Sequence, residues 1–488
     1  MSTLHIPKLY IPKTSVVTRN WSKKGARRGY ALAHANDTEA FNVKLWAREA
    51  VSILTDNMVM GNLVHRDFSP MVQEFGDTVN TRKPAEFQAI RKTNDDNVTV
   101  QNAQATNIPV KLNQLVHVSY LIRDGQESVS FESIIETFLL PAMIAQAEFV
   151  DKVLSAHVYQ FISNSAGRLG QMDETTGKRY ILDTRKIMND NKAYAGRNLV
   201  VGSAAETTLL DIDNFTDANR VGDDGTALSR AILGSKFGFD IKMDQTIPYV
   251  TAAAGTVTGA INHAGTYAPG TTAFTVDGLS AAITNGTWFT IAGDDTPLQV
   301  SATTGGSTPT VITAANTPLK KAVADNAVVT LYPTSTTTAA YTYDSTTNTG
   351  YSGDIAINAF SGVTPQVGQL VSFGSSNIAY CIIRVNSTTS ITLDRPIEAS
   401  IGSGATVNLG PPGGYNFAFH RNALTMVSRP LARPREGTGA MSEVVNFNNI
   451  SLRVVMTYDG NAQGTLVTLD VLFGVKKLDV NLGGVMLS

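Results

Sequence analysis

The stretch "SFESIIETFLLPAMIAQAEFVDKVLSAHVYQFI", residues 130–162, contains the strongest helical pattern in the chain. Ser130 can cap such a helix, and Glu132 suits its first turn because the amino end of a helix favours negative charge. At about 1.5 Å per residue the helix would run roughly 50 Å, and Pro141 is expected to kink it. His157 lies among apolar residues, which favours a hydrogen-bonded core histidine over a metal ligand. The apolar positions recur at helical spacing and form one broad face: Phe131, Ile134, Phe138, Ala142, Ala145, Phe149, Val153, Val158 and Phe161.

Two further segments, one on each side of this helix, also predict regular structure. Residues 38–64, "TEAFNVKLWAREAVSILTDNMVMGNLV", have the spacing of an amphipathic helix that ends near Asn57 or Gly61. Residues 450–478 alternate apolar and polar side chains on both sides of Asp459-Gly460. Such alternation around a turn dipeptide predicts a β-hairpin.

The stretch "NLVHRDFSPMV", residues 62–72, raises the question of a protein kinase, because the kinase catalytic loop reads H-R-D-x-x-x-x-N. The Asn of that loop holds magnesium, but this chain has Val72 in its place. A Gly-rich phosphate loop is absent upstream, and no D-F-G follows. We therefore interpret 62–72 as the turn from the first helix into a sheet, with Arg66 and Asp67 as a local salt bridge or turn pair.

A second apparent motif lies in "RNLVVGSAAETTLLDI", which begins at Arg197 and predicts a buried strand followed by a helix capped by Ser203. A dinucleotide site would need G-x-G-x-x-G at this turn, and the chain supplies only Gly202. Acidic residues crowd the region that follows, but a calcium loop would need Glu where this chain has Gly222. We interpret these acidic residues as a solvated loop: Asp211, Asp213, Asp217, Asp223 and Asp224.

Residues 75–122 predict a long two-stranded ribbon with a polar middle. Its return flank alternates with a period of nearly two: Val110, Leu112, Val116, Val118 and Tyr120. The ribbon has too few apolar residues to pack by itself, and an isolated pair of strands is marginal in water. We therefore expect something outside the subunit to hold it.

Residues 251–412 differ from the rest of the chain because they hold only 12 of its 80 charged residues. Short strand patterns recur here every eight to twelve residues, as in a small barrel or sandwich. The region also repeats itself, since Pro318, Val329, Leu331 and Pro333 recur at the same offsets. The matching residues are Pro396, Val407, Leu409 and Pro411. We predict two all-β copies joined by a linker, "TSTTTAAYTYDSTTNTG".

The net charge of −2 conceals a basic amino-terminal arm. Residues 1–36 carry no acid, and we expect them to meet an acidic neighbour or nucleic acid.

The single Cys381 excludes an internal disulfide and a zinc cluster, and its apolar flanks favour a small buried residue. Neither a signal peptide nor the roughly 18 apolar residues of a membrane span is visible, which predicts an aqueous, reducing compartment.

The order of these segments resembles the major capsid (coat) protein of tailed bacteriophages, closest to the coat-protein family of short-tailed Salmonella phages. The resemblance covers most of residues 38–250 and 413–488. It is specific as an ordered set, although each stretch is weak alone. The stretches are "LWAREA" with "NLVHRDF", "FGDTVNTRKPAEF", "NIPVKLNQLVHVSY", "LLPAMIAQAEFVDK", "RNLVVGSAAE", "NFAFHRNALTMVSRPL", and "ISLRVVMTYDG" with "TLDVLFGVK".

The resemblance implies the α+β fold shared by tailed-phage and herpesvirus major capsid proteins, with an inserted small all-β domain that is duplicated here. It leaves open whether the insertion stabilises the subunit, decorates the outer surface or contacts neighbours. The implied parts are the N-terminal arm and first helix (1–74), the extended loop (75–122), the peripheral domain with its spine helix and sheet (123–165 and 446–488), the axial domain (166–250 and 413–445), and the insertion (251–412) with repeats at about 268–333 and 350–412.

The implied function is a structural subunit that forms pentamers and hexamers in the icosahedral head around double-stranded DNA. The expected partners are further copies, a scaffolding protein, a portal, a decoration protein and DNA contacted non-specifically. The expected location is the virion, after assembly in the host bacterial cytoplasm. Candidate arm residues, facing a neighbour or DNA, are Lys23, Lys24, Arg27 and Arg28. Candidate inter-subunit residues of the extended loop are Arg82, Lys83, Arg91, Lys92, Asp95 and Asp96.

Three other functions remain open from the sequence. An encapsulin-like nanocompartment would share the fold, and its gene neighbourhood would differ. A surface adhesin would suit the Thr-rich β-repeats, but no export signal supports it. An enzyme is disfavoured because the seven histidines are scattered and no H-E-x-x-H, G-x-S-x-G or P-loop is present. No metal or cofactor is predicted.

Overall fold

The computed structural model describes residues 38–68, 75–82, 87, 89–92, 100–101, 107–123, 135–216, 231–251, 257–279, 283–305, 309–315, 317–346, 349–435, 437 and 439–488. The helices are α1 (Thr38–Asn57), α2 (Met60–Leu63), α3 (Leu140–Ala156), α4 (Gly177–Asp190), α5 (Ser203–Leu210) and α6 (Asp213–Thr216). The strands are β1 (His65–Phe68), β2 (Thr78–Arg82), β3 (Asn107–Lys111), β4 (Gln114–Arg123), β5 (Ser165–Gly167), β6 (Arg197–Val201), β7 (Gly234–Lys236), β8 (Phe239–Met243), β9 (Tyr249–Val250), β10 (Val257–Ile261), β11 (Ala273–Asp277), β12 (Trp288–Ile291), β13 (Leu298–Gly305), β14 (Pro309–Ala314), β15 (Val328–Leu331), β16 (Thr334–Thr336), β17 (Tyr343–Asp344), β18 (Thr349–Gly350), β19 (Ile355–Ala356), β20 (Leu370–Phe373), β21 (Ala379–Ser387), β22 (Ser390–Leu393), β23 (Thr406–Leu409), β24 (Gly413–His420), β25 (Leu424–Arg429), β26 (Met441–Phe447), β27 (Ile450–Asp459), β28 (Gly464–Lys477) and β29 (Gly483–Leu487).

The long helix predicted from the sequence is confirmed from Ile135 onward, and it has three consecutive parts. A π-helical turn (Ile135–Leu139) leads into α3, and a 3₁₀ segment (His157–Asn164) follows it. Pro141 lies in the first turn of α3, where its missing N–H costs no intrahelical hydrogen bond. The proline therefore coincides with the change from π to α geometry. The expected cap and first turn, Ser130 and Glu132, lie outside the described residues.

The side chains along this spine helix confirm that it is a core element. Buried residues recur along α3, including Met143, Ala147 and Val150. His157 is 3% exposed, and its Nδ1 lies 2.8 Å from the Val153 carbonyl oxygen, so it is the hydrogen-bonded core histidine that the sequence predicts. Burial lowers the pKa of His157.

The first helix is confirmed by α1, but the turn predicted after it is wrong. His65–Phe68 form β1, which pairs in parallel with β25 from His65↔Thr425 onward. The backbone there is held by a buried neighbouring strand, so the local turn signal does not prevail. Arg66 donates from Nη1 to the carbonyl oxygen of Asn448 at 2.7 Å and from Nη2 to Asn62 Oδ1. The side chain of Asp67, the other member of the expected pair, lies outside the described residues.

The central sheet has the strand order β1-β25-β28-β27-β26, and β4 pairs with the other side of β28. The hairpin predicted at 450–478 is confirmed, since β27 and β28 pair from Leu452↔Val471 to Asp459↔Gly464. The spine helix packs on this sheet, where buried Gln146 donates from Nε2 to the Leu469 carbonyl oxygen at 2.6 Å. Helix and sheet therefore share one core.

A second sheet has the order β5-β29-β24-β6-β8-β7, with β9 paired to β24. The buried strand predicted at Arg197–Val201 is confirmed as β6. The predicted cap is wrong, because Gly202 is the N-cap residue of α5 and Ser203 is its first helical residue. The backbone passes very close to its neighbour here, since a Cβ on Gly202 would lie 2.8 Å from the Ile247 carbonyl oxygen. Packing therefore places a glycine where a serine cap was expected.

Strands β10 to β15 form a closed barrel with the order β10-β11-β14-β13-β12-β15. Strands β16 and β19 to β23 form a six-stranded sheet with the order β16-β23-β20-β21-β22-β19. Both units follow the same sequence of pairings around the sheet, and each has its own buried apolar cluster. We call them the first and second β-units.

The first part of the segment 334–350, interpreted above as a linker, belongs to the second β-unit. Thr334–Thr336 form β16 and pair with β23. Tyr341 is 7% exposed within the core of this unit, and it bridges to Ile401. The linker interpretation is therefore wrong. Threonine-rich composition resembles a linker, but alternating threonines also suit a half-buried strand.

Candidate assembly surface

The polar ribbon is confirmed as two paired strands, but its predicted return flank was too long, because Gln114–Arg123 form β4 of the central sheet. Within the described residues the ribbon is anchored at its base. β2 and β3 pair from Thr78↔Lys111 to Arg82↔Asn107. The Gly76 amide donates to the Leu112 carbonyl oxygen at 2.8 Å, and the Leu112 amide donates to the Asp77 carbonyl oxygen at 2.8 Å. A small apolar cluster joins this base to the central sheet: Val79, Val110, Leu112, Val427 and Leu472.

Beyond this base, the described residues of the ribbon expose large apolar side chains. Phe87 is 63% exposed, Ile90 is 54% exposed and Val100 is 86% exposed. Single exposed apolar residues are ordinary, but three on a segment whose described residues join no apolar cluster beyond its base mark a contact surface. Arg91 and Lys92, both exposed, lie beside Ile90. Exposed apolar side chains beside charged ones are typical of protein–protein interfaces.

Most of the other site residues predicted from the sequence lie outside the part of the chain that the structure describes. Arg82 ends β2, and its side chain lies outside the described residues. The following predicted residues also lie outside them: Lys23, Lys24, Arg27, Arg28, Lys83, Asp95 and Asp96. Their roles at a neighbour or at DNA stay predictions.

The spine helix and the second β-unit meet at a buried ion cluster around Arg395. Its Nη1 donates to Asp394 Oδ2 at 2.7 Å, its Nε to Glu398 Oε1 at 2.8 Å and its Nη2 to the Ala379 carbonyl oxygen at 2.8 Å. The side chains of Arg395 and Asp394 are 6% and 0% exposed. Buried charges of this kind require mutual pairing, because each alone carries a large desolvation cost.

Aromatic rings complete the contact between the two elements. The Arg395 guanidinium lies 4.5 Å from the ring centre of Tyr380 in its own unit and 5.5 Å from that of Tyr159 on the spine segment. Burial lowers the pKa of Arg395, but Asp394, Tyr159 and Glu398 together outweigh it and leave the pKa above its usual value. Arg395 thus stays charged between two rings and joins the β-unit to the spine.

Further contacts attach both β-units to the rest of the chain. Lys320 of the first unit donates to the Ser163 carbonyl oxygen, and Arg168 pairs with Asp295. Cys381 is buried in the apolar part of this interface, as predicted, and burial raises the pKa of its thiol. The apolar contact comprises Ala156, Ile162, Trp288, Leu370, Ala379, Cys381 and Ile383.

A second buried charge ties the first helical segments to the spine. Asp151 of α3 is 1% exposed, and it accepts the Val59 amide at 2.7 Å and the Gly61 amide at 2.8 Å. Burial raises the pKa of Asp151 to about 7, the charge of Asp244 adds to this, and the backbone hydrogen bonds oppose it. The carboxyl therefore fastens the start of α2 to the middle of the spine helix.

Solved structures of known proteins provide a comparison for most of the chain. The chain is similar to solved phage capsids. The capsid of the Cyanophage P-SCSP1u is 9% identical over 88% of this chain and 87% of that chain, with a TM-score of 0.40. The capsid of Ralstonia phage GP4 is 7% identical over 87% and 86%, with a TM-score of 0.38. The mature capsid of bacteriophage PhiM1 is 10% identical over 88% and 86%, with a TM-score of 0.37.

No family model matches the sequence, and no curated protein matches it. At these identities and TM-scores, the likeness to phage capsids does not by itself assign a function to the chain. None of the helices within the described ranges is long and apolar enough to cross a membrane. The same ranges contain no group of three or more His, Cys, Asp or Glu side chains arranged to hold a metal ion.

Sequence reasoning missed the residues that fasten the parts together. Asp151, Asp394 and Arg395 were not singled out, although two of them lie in the region of low charge. That scarcity is the signal that could have found them, because a charge inside an apolar strand pattern is seldom tolerated unless it is paired. Asp394 and Arg395 are adjacent and pair with each other, but the backbone amides that Asp151 accepts lie about 90 residues away, so that contact required the tertiary structure.

Proposed function

We propose that this chain is the major capsid protein of a tailed phage, nearest to the coat-protein family of short-tailed Salmonella phages. Pentamers and hexamers of it form the icosahedral head that encloses double-stranded DNA. Its role is structural and involves no catalysed reaction. The proposal rests on the ordered sequence stretches quoted above and on the ribbon, whose described residues are anchored at the base and exposed beyond it.

The ribbon is the observation that carries the proposal. A base fixed to the central sheet and a far part with three exposed apolar side chains suit an extended loop that lies on the next subunit. Each fully buried Phe, Ile or Val side chain contributes about 1.5–3 kcal/mol, before the costs of association. Many such overlaps, repeated around a closed shell, stabilise an assembly whose single contacts are weak.

The other parts of the chain take the roles that the resemblance implies. Residues 1–74 contain the arm and first helix, 123–165 with 446–488 form the peripheral domain, and 166–250 with 413–445 form the axial domain. The insertion at 251–412 stabilises the subunit internally. The Arg395 cluster and the apolar interface with the spine support this role, because they fix the β-units to the helix on which the sheet packs.

The arm and the extended loop are the proposed contacts with partners. Lys23, Lys24, Arg27 and Arg28 would meet acidic residues of a neighbour or the packaged DNA. Arg91 and Lys92 would flank the apolar contact made by the ribbon. A scaffolding protein, a portal and a decoration protein complete the proposed partners of the virion, which assembles in the host bacterial cytoplasm.

The first test is expression of the chain alone and together with the genes that neighbour its own, followed by negative-stain electron microscopy of the high-speed pellet. Closed shells or curved sheets in either sample would support the proposal. Monomers in both samples would overturn it.

A matched pair of variants then tests the ribbon. Phe87→Asp should abolish particles while the thermal midpoint of the unassembled chain stays unchanged, because Phe87 is 63% exposed. Val328→Asp places the same charge on an exposed residue of the first β-unit, 47% exposed, and should still give particles. Equal assembly by both variants would contradict the ribbon as the contact.

A further inference from the structure

A basic groove lies where the first helices, the second sheet and the β26–β27 turn meet. Its volume is about 900 Å³. Arg66 forms part of the wall, and Arg421, which is exposed, lies at the end of β24 beside His420. The other lining residues are Thr55, Asp56, Asn62, Leu63, Gly196, Asn198, Phe447, Asn448 and Asn449.

The lining of the groove contains two arginines and one acidic residue. Arg66 is held in place by the Asn448 carbonyl oxygen and the Asn62 side chain, and both of these partners are uncharged. Arg421 makes no hydrogen bond or ion pair within the described residues, and Asp56 is the single acidic residue of the lining. Burial lowers the pKa of Arg66, the nearby charge of Arg421 lowers it further, and the charge of Asp151 opposes both. Two like charges beside an open groove favour an anionic occupant.

The rim of this groove favours protein as the occupant. Phe447 is 52% exposed at the groove, and Tyr194, which stacks edge-on with the His420 ring at 5.5 Å, is 63% exposed. Exposed aromatic side chains around charged groups are typical of protein interfaces. A phosphate backbone would gain nothing from the exposed Phe447 ring, whereas a carboxylate-bearing surface would cover it.

The same chain has an acidic groove that supplies such a carboxylate-bearing surface. Its volume is about 690 Å³, and it lies between the segment before α4 and the carboxyl end of α5. Asp173, Glu174 and Asp211 are exposed there, and the remaining lining residues are Thr175, Thr207, Thr208 and Leu210. Asp173 Oδ1 accepts the amides of Thr175 at 2.9 Å and Thr176 at 2.8 Å. Hydrogen bonds from Thr175 and Thr176 lower the pKa of Asp173 to about 2, so it stays ionised.

We propose that the basic groove around Arg421 binds the acidic groove around Asp211 of a second copy, as a contact between neighbouring subunits. Two different, complementary surfaces on one chain make a heterologous contact, and heterologous contacts close into rings when the rotation allows. The inference rests on the proposed capsid function, since it supplies the ring-forming contact that five- and six-membered capsomers need. Opposite charges also select the head-to-tail arrangement, because two basic or two acidic grooves would repel.

The test is a charge swap in the full chain, read as the lowest protein concentration that gives particles. Arg421→Glu should raise that concentration about tenfold or more, which corresponds to about 1.4 kcal/mol. Asp211→Arg should also raise it, without loss of folding, because a basic residue suits the carboxyl end of α5. The double variant should assemble at a lower concentration than either single variant, since the swapped charges attract again.

A control variant and the contrary outcomes decide whether the two grooves pair. Arg384→Glu makes the same charge change at an exposed residue of the second β-unit, outside both grooves, and should assemble like the wild type. If Arg384→Glu is equally defective, or the double variant is no better than the singles, the pairing is overturned. Normal particles of Arg421→Glu with reduced DNA content would overturn it in favour of nucleic acid. Failure of the wild type to assemble, with or without the neighbouring genes, would instead remove the capsid function on which the inference depends.

Discussion

Replacing Arg395 by methionine tests whether the buried ion cluster holds the second β-unit on the spine helix. The substitution keeps most of the side-chain length but removes three hydrogen bonds and the charge that faces Asp394. The Asp394 side chain is 0% exposed, so its carboxylate would stay buried without its counter-charge. Breaking such a pair costs about 3–5 kcal/mol. The stacking on Tyr380 and Tyr159 adds about 1 kcal/mol, whereas the half-exposed Glu398 contributes little.

The assay is differential scanning calorimetry of the unassembled chain, combined with amide hydrogen exchange. The Arg395→Met variant should show a lower first transition and faster exchange in β21 and β22, because the second β-unit loses its attachment. Arg384→Met is the matched control, since that arginine is exposed on β21 and should change stability by less than about 0.5 kcal/mol. Adding Asp394→Asn to Arg395→Met should recover part of the loss, because a buried amide costs less than a buried charge. A midpoint for Arg395→Met within about 1 °C of the wild type would refute this account of the cluster.

Two further predictions concern pH and backbone packing. The pKa of about 7 for Asp151 lies above its ordinary value of 3.8, so its contribution to stability is full below the ordinary value and is lost as the pH rises through 7. The thermal midpoint of Asp151→Asn should therefore fall less between pH 5 and pH 8 than that of the wild type; equal falls would contradict the role of this carboxyl. Gly474→Ala should destabilise the ribbon base by about 1–3 kcal/mol and speed amide exchange in β2 and β3, because the new Cβ would lie 2.2 Å from the Lys111 carbonyl oxygen. Gly402→Ala, with nothing within 4 Å, is its control, and similar exchange in the two variants would argue against the close approach.

The elements that could be predicted from sequence are those whose pattern is local and long. The spine helix has apolar residues at helical spacing over many turns, and the 450–478 hairpin alternates on both sides of its turn, so periodicity was sufficient for both. The buried strand at Arg197–Val201 followed from its continuous apolar run. His157 and Cys381 were correctly expected in the core, because each lies among apolar neighbours on its own element.

Both wrong predictions concern polar segments that form strands because a partner strand from elsewhere in the chain lies beside them. β1 was interpreted as a turn because "HRDFSP" is polar and ends in proline, yet a parallel partner 360 residues away, at Thr425, holds it extended. The threonine-rich segment at 334–350 was interpreted as a linker, yet β16 pairs with β23. Composition cannot show whether a polar segment has a strand beside it.

The sequence by itself determined the mixed helix and strand content, the exposed ribbon and the region of low charge, because these follow from the periodicity and polarity of neighbouring residues. The tertiary structure alone decided which distant residues meet around the buried charges. Arg395 meets Tyr159, Gln114 donates to the Asp394 carbonyl oxygen at 2.7 Å, and Asp151 meets the start of α2. Such contacts join residues far apart in the chain, and their energy depends on burial and distance, which no local pattern of residues specifies.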